Sequence, residues 1–190
     1  TGALPHDLQA VDEETRFDIM SWAGIPLAFV EIRARVGDEV IPWDGDAMGE
    51  LEVRGPWVAS SYYDTPDAGA SAGGARPENA GADRWTNDGW FKTGDIVSIH
   101  PRGYIQIKDR SKDVIKSGGE WISSVELENA LMAHPSVAEA AVIAIPDPKW
   151  DERPLAAVVL REGAPATPAE LCAFLPPEFT EWWLPGRFGL

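Results

Sequence analysis

The sequence contains one cysteine, Cys172, among 190 residues. A single thiol excludes an internal disulfide framework and a cysteine-based zinc site, and it fits the reducing cytosol. No stretch approaches the roughly 20 apolar residues of a membrane-spanning helix, and the first residues lack the basic and apolar regions of a signal peptide. Together these absences predict a cytoplasmic protein without a transmembrane segment.

Positive charge is also scarce, because 16 Lys and Arg residues face 31 Asp and Glu residues and leave a net charge of −15. This surplus opposes binding to nucleic acid or to an anionic membrane, so a polyanionic ligand would need a local basic cluster. The three histidines, His6, His100 and His134, have no partners at metal-ligand spacing, and no metal site is predicted. The 44% hydrophobic content, with nine Trp, is sufficient for a core.

Strand patterns dominate the first half of the sequence. Residues 27–34 are rich in apolar and branched side chains, and residues 49–54 alternate apolar with charged ones. Residues 90–100 and 104–108 read as two strands joined by the Pro101-Arg102-Gly103 turn. The first half is therefore predicted to be β-rich.

Two segments interrupt this pattern. Residues 64–83 are mostly Gly, Ala, Pro and Asp, which predicts a flexible surface insertion. The charged run 108–113 predicts a boundary between two folding units. The acidic run Asp12-Glu13-Glu14 is interpreted as a solvated surface.

The second half shows clearer helix signals. Residues 123–126 form a capping box, which predicts a helix over 124–133 that ends before Pro135. Residues 137–145 and 155–160 are strand-like apolar runs, and a second cap at Thr167 predicts a helix through about Leu175. These elements together predict a small α+β domain.

The segment Gly89-Trp90-Phe91-Lys92-Thr93-Gly94-Asp95 carries the first candidate for chemistry. Gly94 permits close backbone approach, and the Asp95 carboxylate is able to accept hydrogen bonds from two neighbouring hydroxyls, as on a ribose. The alternative is an ordinary Gly-Asp turn that enters a strand.

Residues 108–121 reverse the local charge, since they hold four cations and two glycines. Arg110 offers a planar fork, and Lys112 and Lys116 offer compact charges for phosphates. The pair Gly118-Gly119 permits a close turn, and Trp121 offers a flat aromatic face. The alternative is a solvated linker with interspersed charges.

Both segments closely resemble motifs of the adenylate-forming superfamily, which includes acyl-CoA synthetases, luciferases and peptide-synthetase adenylation domains. The sequences of residues 116–123 and 145–154 are most similar to those of medium- and long-chain fatty-acid CoA ligases. The resemblance extends over nearly the whole chain except residues 64–83. It implies an α+β fold in which residues 1–108 form the β-rich distal portion of the AMP-binding N-terminal domain. Residues 109–113 would then be a hinge and residues 114–190 a truncated C-terminal domain.

The resemblance also implies a two-step reaction with ATP, CoA and a fatty acid or another carboxylic acid. The acid first gives an acyl-adenylate, and CoA then displaces AMP after the small domain swings about the hinge. Asp95 would accept the ribose hydroxyls, Arg110 would hold the nucleotide, and Lys112 would be the hinge residue that also approaches it.

Four further residues take roles from the same resemblance. Lys116 and Trp121 would line the nucleotide and thioester-forming site, and Gly118 and Gly119 would let the narrow arm of CoA pass. Stabilisation of phosphate charge in both steps is consistent with this placement of cations.

Some elements of the superfamily pattern are not found in these 190 residues. The phosphate loop, the Thr-Glu segment for adenine and magnesium, and the C-terminal Gly-Lys element are missing. The Mg²⁺ expected for the full-length enzyme therefore has no predicted ligands here. A start without Met and an apolar end favour a fragment, which is predicted to be inactive alone.

Two other functions remain open from the sequence. One is a noncatalytic binding or interaction module derived from the same superfamily. The other is a Trp-rich, carbohydrate-binding β-domain, which leaves residues 108–123 unexplained. Acyl chain length and a homodimer of the full-length protein are not determined by these residues.

Overall fold

A computed structural model describes residues 10–60, 84–176 and 179–189. The chain divides into two compact units, residues 1–107 and residues 108–190. The predicted insertion at 64–83 lies outside the described residues. None of the helices in the described regions of the chain has the length and apolar character needed to cross a membrane.

Within its described residues, the first unit contains one helix and a five-stranded sheet. Its elements are α1 (Glu13–Ser21), β1 (Glu31–Val36), β2 (Glu39–Val40), β3 (Gly49–Arg54), β4 (Phe91–Ile99) and β5 (Ile105–Arg110), whose last three residues fall in the second unit. The strand order is β2-β1-β3-β4-β5, with β1 antiparallel to β2 and β3, and β3 antiparallel to β4. The buried core of this sheet consists of Ala34, Leu51, Val97, Ile99 and Ile105.

The predicted hairpin of the first unit is confirmed, since β4 and β5 are neighbours in the sheet. Gly103 closes the turn with φ +83, and its N–H donates to the carbonyl of His100 at 2.7 Å. A positive φ favours glycine because it has no Cβ.

The beginning of the first unit agrees only in part with its predicted structure. The acidic run at 12–14 is exposed, as interpreted from the sequence, and it also starts α1, because the Asp12 side chain accepts a hydrogen bond from the Thr15 N–H at 2.9 Å. The predicted strand at 27–34 begins only at Glu31. Before it, the Val30 N–H donates to Leu27 in a turn where Phe29 has φ +67.

The described part of the second unit contains a five-stranded sheet and two helices. Its elements are β6 (Ile115–Ser117), β7 (Glu120–Ile122), α2 (Ser124–Met132), β8 (Val137–Asp147), β9 (Asp151–Leu160), α3 (Pro168–Phe174) and β10 (Arg187–Gly189). The order β10-β9-β6-β7 is extended by β8, which pairs with β9. Leu127 and Leu131 of α2 and Leu171 of α3 are buried in its core together with Val137 and Ala156.

Both predicted helices of the second unit are confirmed. Thr167 and Glu170 form the complete capping box of α3. Ser123 caps α2 by accepting a hydrogen bond from the Glu126 N–H at 3.1 Å, whereas the Glu126 carboxylate lies 2.9 Å from Nζ of Lys108. The β-rich first unit and the α+β second unit confirm the predicted fold class.

Candidate functional site

Asp95 lies in a β-bulge of the first unit. Three consecutive residues of β4, Thr93–Asp95, face the single residue Leu51 of β3. Thr93 Oγ1 donates to the Leu51 carbonyl and accepts from the Asp95 N–H, both at 3.1 Å, and Gly94 has φ +79. A bulge bends its strand and redirects side chains. The Gly-Asp pair thus lies within a strand, at a bulge that sets the direction of the half-buried Asp95.

A stacked aromatic group holds the residues just before this bulge. The guanidinium carbons of Arg33 and Arg54 lie 4.3 and 4.5 Å from the ring centroid of the buried Trp90. Arg33 also forms two hydrogen bonds with Asp88, at 2.9 and 3.2 Å. These bonds, and to a smaller extent a hydrogen bond from the Thr86 side chain, lower the pKa of the Asp88 carboxyl to about 2. The cation–π and ionic contacts tie residues 88–90 to β1 and β3.

Lys112 lies in a tight turn at the start of the second unit. The N–H groups of Asp113 and Val114 both donate to the Arg110 carbonyl, at 3.0 and 2.9 Å. The Lys112 side chain is 80% exposed, and its Nζ lies 3.7 Å from Asp113. Arg110 is also exposed. Both side chains are therefore exposed at a short turn.

Residues 115–122 form a β-hairpin with a two-residue turn, which we call the Gly-Gly hairpin. Gly118 and Gly119 are its turn residues, with φ +62 and +92, as in the type I′ turns that join antiparallel strands. Lys116 and Trp121 are directly opposite each other, and Nζ lies 6.0 Å from the indole centroid. The hairpin therefore presents a cation beside a half-buried aromatic face.

The turn of the Gly-Gly hairpin contacts the loop between β8 and β9. The Gly118 N–H donates to the Trp150 carbonyl at 2.8 Å, and a Cβ at Gly118 would lie 2.9 Å from Trp150 Cε3. Glu152 accepts a hydrogen bond from the Lys116 N–H at 2.8 Å. Glycine is thus required at 118 both by its φ and by the indole packed against it.

A cavity of about 200 Å³ lies beside this turn, and its lining residues are Ser117, Gly118, Glu120, Trp150, Arg153 and Trp182. The indoles of Trp150 and Trp182 are tilted at 52° with centroids 6.1 Å apart. Nζ of Lys149 lies 4.2 Å from the centroid of the Trp150 ring. Arg153 donates to the carbonyls of Trp182 and Leu184, which ties the C-terminal residues to the cavity.

Comparison with known proteins identifies the family of this chain. The family model for the AMP-binding enzyme C-terminal domain matches residues 126–189. A long-chain-fatty-acid–CoA ligase of Thermus thermophilus is 48% identical over 95% of this chain, and a 3-methylmercaptopropionyl-CoA ligase of Ruegeria pomeroyi is 44% identical over 98%. The chain belongs to the adenylate-forming, AMP-binding family.

A solved structure of an adenylate-forming enzyme agrees with this assignment. The o-succinylbenzoate CoA synthetase of Bacillus subtilis, in complex with its acyl-adenylate intermediate, matches 94% of this chain with 32% identity and a TM-score of 0.72. The alignment covers 34% of that protein, and this chain spans 31% of each ligase named above. The chain therefore corresponds to about a third of the length of its adenylate-forming relatives.

The candidate residues fall in both units. Asp95 belongs to the first unit, whereas the others belong to the second: Arg110, Lys112, Lys116, Gly118, Gly119 and Trp121. Within the second unit, the Gly-Gly hairpin brings Lys116, Trp121 and the two glycines together.

Sequence reasoning assigned no role to the residues that complete the cavity, above all Trp150 and Arg153. The sequence does contain a signal for Trp150. It lies in the turn-forming segment 146–151, where the turn itself does not need a large aromatic side chain, and this indicates another role for the indole. Asp147 forms that turn by accepting from the N–H groups of Lys149 and Trp150, which lowers the pKa of its carboxyl.

His100 and His134 hold structural positions, whereas His6 lies outside the described residues. His134 Nδ1 accepts from the Ser136 N–H at 3.1 Å, and its ring packs edge-on against Phe174. His100 Nδ1 accepts from the Arg102 N–H at 3.2 Å. Within residues 10–60, 84–176 and 179–189, no three His, Cys, Asp or Glu side chains gather as a metal ion would require.

Proposed function

We propose that this chain belongs to an ATP-dependent acyl-CoA synthetase that activates a fatty acid or a related carboxylic acid. In the first step the acid's carboxylate oxygen attacks the α-phosphorus of ATP, and the bond to pyrophosphate breaks. In the second step the CoA sulfur attacks the acyl carbon, the thiol proton is released, and AMP leaves. Both steps develop negative charge on phosphate oxygens, which nearby cations stabilise.

The observation that carries this proposal is the geometry of the Gly-Gly hairpin. Lys116 is opposite Trp121, with Nζ 6.0 Å from the indole, and two glycines with positive φ form the adjacent turn. A cation beside an aromatic face suits an anionic nucleotide with a planar base. Glycines leave room for a narrow substrate arm to pass the backbone. Identity of 48% to a fatty-acid ligase supports the same activity.

We assign the remaining residues to the nucleotide and to the hinge. Asp95, directed by its bulge, accepts the ribose hydroxyls, and Arg110 binds the nucleotide through its planar fork. Residues 109–113 form the hinge, with Lys112 as its pivot, between N-terminal residues 1–108 and C-terminal residues 114–190. We expect Mg²⁺ to accompany ATP in the complete enzyme, with ligands outside these 190 residues.

The test uses the complete gene product that contains this chain. With ATP, CoA and a series of fatty acids, we expect acyl-CoA and AMP to form in equal amounts. Lys116→Ala should reduce kcat/KM at least about tenfold, since one charge-assisted interaction is worth that much. Arg161→Ala is the matched control, because it removes an exposed cation elsewhere in the second unit. Absence of acyl-CoA formation with every acid tested would refute the proposed function.

The ribose assignment has its own measurement. A non-reactive acyl-adenylate analogue should bind the complete protein at least about tenfold more weakly after Asp95→Ala, through loss of hydrogen bonds to a carboxylate. An analogue that lacks both ribose hydroxyls should show no difference between wild type and Asp95→Ala. Equal affinity of both proteins for the complete analogue would contradict this role of Asp95.

A further inference from the structure

A buried carboxylate joins the two ends of the segment that contains Lys112 and the Gly-Gly hairpin. Asp109 is 4% exposed, and its Oδ2 accepts hydrogen bonds from the Ser124 N–H at 2.7 Å and from the Ser124 hydroxyl at 2.8 Å. Its Oδ1 accepts from the Arg110 N–H at 2.7 Å. A buried charge with this many donors is strongly bound to them, and removal of a partner is costly.

Neighbouring contacts reinforce this connection. The Ser123 hydroxyl donates to the Lys108 carbonyl at 2.6 Å, and Lys108 Nζ lies 2.9 Å from Glu126 Oε1. We call the set Lys108, Asp109, Ser123, Ser124 and Glu126 the hinge clasp. All five residues belong to the second unit, which begins at residue 108. The clasp therefore places residues 108–110 in the same compact body as α2.

The position of Lys112 in the chain gives the clasp a consequence. Residues 108–110 precede Lys112, whereas Ser123, Ser124 and the start of α2 follow it. A rotation about the backbone of Lys112 moves these two groups relative to each other. The bonds between Asp109 and Ser124 then separate, and the carboxylate must find other partners or water. The clasp is thus compatible with one state of a hinge at Lys112 and is broken in a state rotated far from it.

We infer that Asp109 is a positioning residue that holds Arg110 and, through Ser124, selects one of the two hinge states of the enzyme. This inference rests on the function proposed above, in which the small domain swings about the hinge between adenylate formation and thioester formation. Loss of the clasp lowers the population of the state that contains it and thereby slows one step relative to the other. It changes the balance between the steps rather than the chemistry of either.

The experiment measures the two steps separately in the complete gene product. Acid-dependent exchange between pyrophosphate and ATP reports adenylate formation, and single-turnover reaction of preformed acyl-adenylate with CoA reports thioester formation. Asp109→Asn and Ser124→Ala should each shift the ratio of these rates at least about tenfold, and in the same direction, since each removes a hydrogen bond to a charged group. Glu162→Gln, which neutralises an exposed carboxylate in the second unit, should keep the wild-type ratio.

The outcomes separate this inference from the proposed function. An active wild type whose variants lose both rates equally would overturn the inference and leave Asp109 a structural role only. Ratios unchanged in both variants would overturn it as well. A wild type with neither activity would refute the proposed function and the inference that rests on it. If Asp109→Asn fails to fold, Ser124→Ala, which keeps the charge and the backbone bond, decides the result.

Discussion

Single residues of the first unit make its stability depend on pH. The Arg33 guanidinium holds Asp88 through two hydrogen bonds and, with a smaller contribution from the Thr86 side chain, lowers the pKa of that carboxyl from 3.8 to about 2. Because the pKa in the folded state is below the unfolded value, this contribution is present above about pH 4 and is lost as the pH falls towards 2. We expect the stability advantage of wild type over Asp88→Asn to shrink across that interval.

Urea unfolding at pH 5, 4, 3 and 2 measures this effect. The control is Glu39→Gln, which removes an exposed carboxylate from β2 of the same unit. The change in the stability difference over the interval should be larger for Asp88→Asn than for this control. Parallel stability curves for wild type and Asp88→Asn would contradict the role assigned to the Arg33 pair.

The sequence predicts which residues are candidates for the site better than it predicts which residues contact each other. The run of cations at 108–116 is evident in an acidic chain, and Lys116, Gly118 and Trp121 meet in one hairpin as their spacing allows. The pairing of Arg33 with Asp88 joins residues that are 55 positions apart. Such a contact depends on which strands become neighbours, and no local pattern specifies that.

Among the elements, the Gly-Gly hairpin permits a direct test of why each glycine is needed. Both turn residues have positive φ, so Ala at either position strains the backbone. Only at Gly118 does an added Cβ meet Trp150, at 2.9 Å from Cε3, whereas at Gly119 it meets nothing within 4 Å. We expect Trp150→Leu to relieve some of the destabilisation by Gly118→Ala, with a coupling free energy of about 1 kcal/mol.

Chemical denaturation of wild type, both single variants and the double variant gives this coupling. The same cycle between Gly119→Ala and Trp150→Leu is the internal control, and its coupling free energy should be near zero. Similar coupling in the two cycles would mean that the indole acts through the general shape of the turn rather than by contact at residue 118.

Elements with local signals are predicted more accurately than those that depend on pairing. The observed ends of helices α2 and α3 lie within two residues of the ends predicted from their caps, because a cap satisfies backbone donors of its own helix. The strands β8 and β9 run longer than predicted, to Asp147 and from Asp151, since their mutual pairing carries them past Pro146 and Pro154. The bulge at residues 94–95 could not be predicted in this way. A Gly-Asp pair is equally typical of a turn, and a bulge exists only relative to its partner strand.

For the whole molecule, net charge and the division into units constrain where an anionic substrate can bind. The chain carries −15 in 190 residues, so its long-range field repels ATP. Its candidate cations Arg110, Lys112 and Lys116 are exposed or largely so and lie within one short stretch of the second unit. Exposed cations in solvent attract phosphate only weakly. Tight binding therefore needs additional groups that enclose the triphosphate.

The last prediction follows from this balance of charge. The 190-residue chain alone should release no more pyrophosphate from ATP and fatty acids than its Lys116→Ala variant, because no phosphate loop lies in this sequence. The complete gene product, assayed under identical conditions, provides the positive control. Turnover by the isolated chain above the Lys116→Ala background would show that these cations suffice to orient the triphosphate. Enclosure by the remaining two thirds of a typical relative would then be unnecessary for adenylate formation.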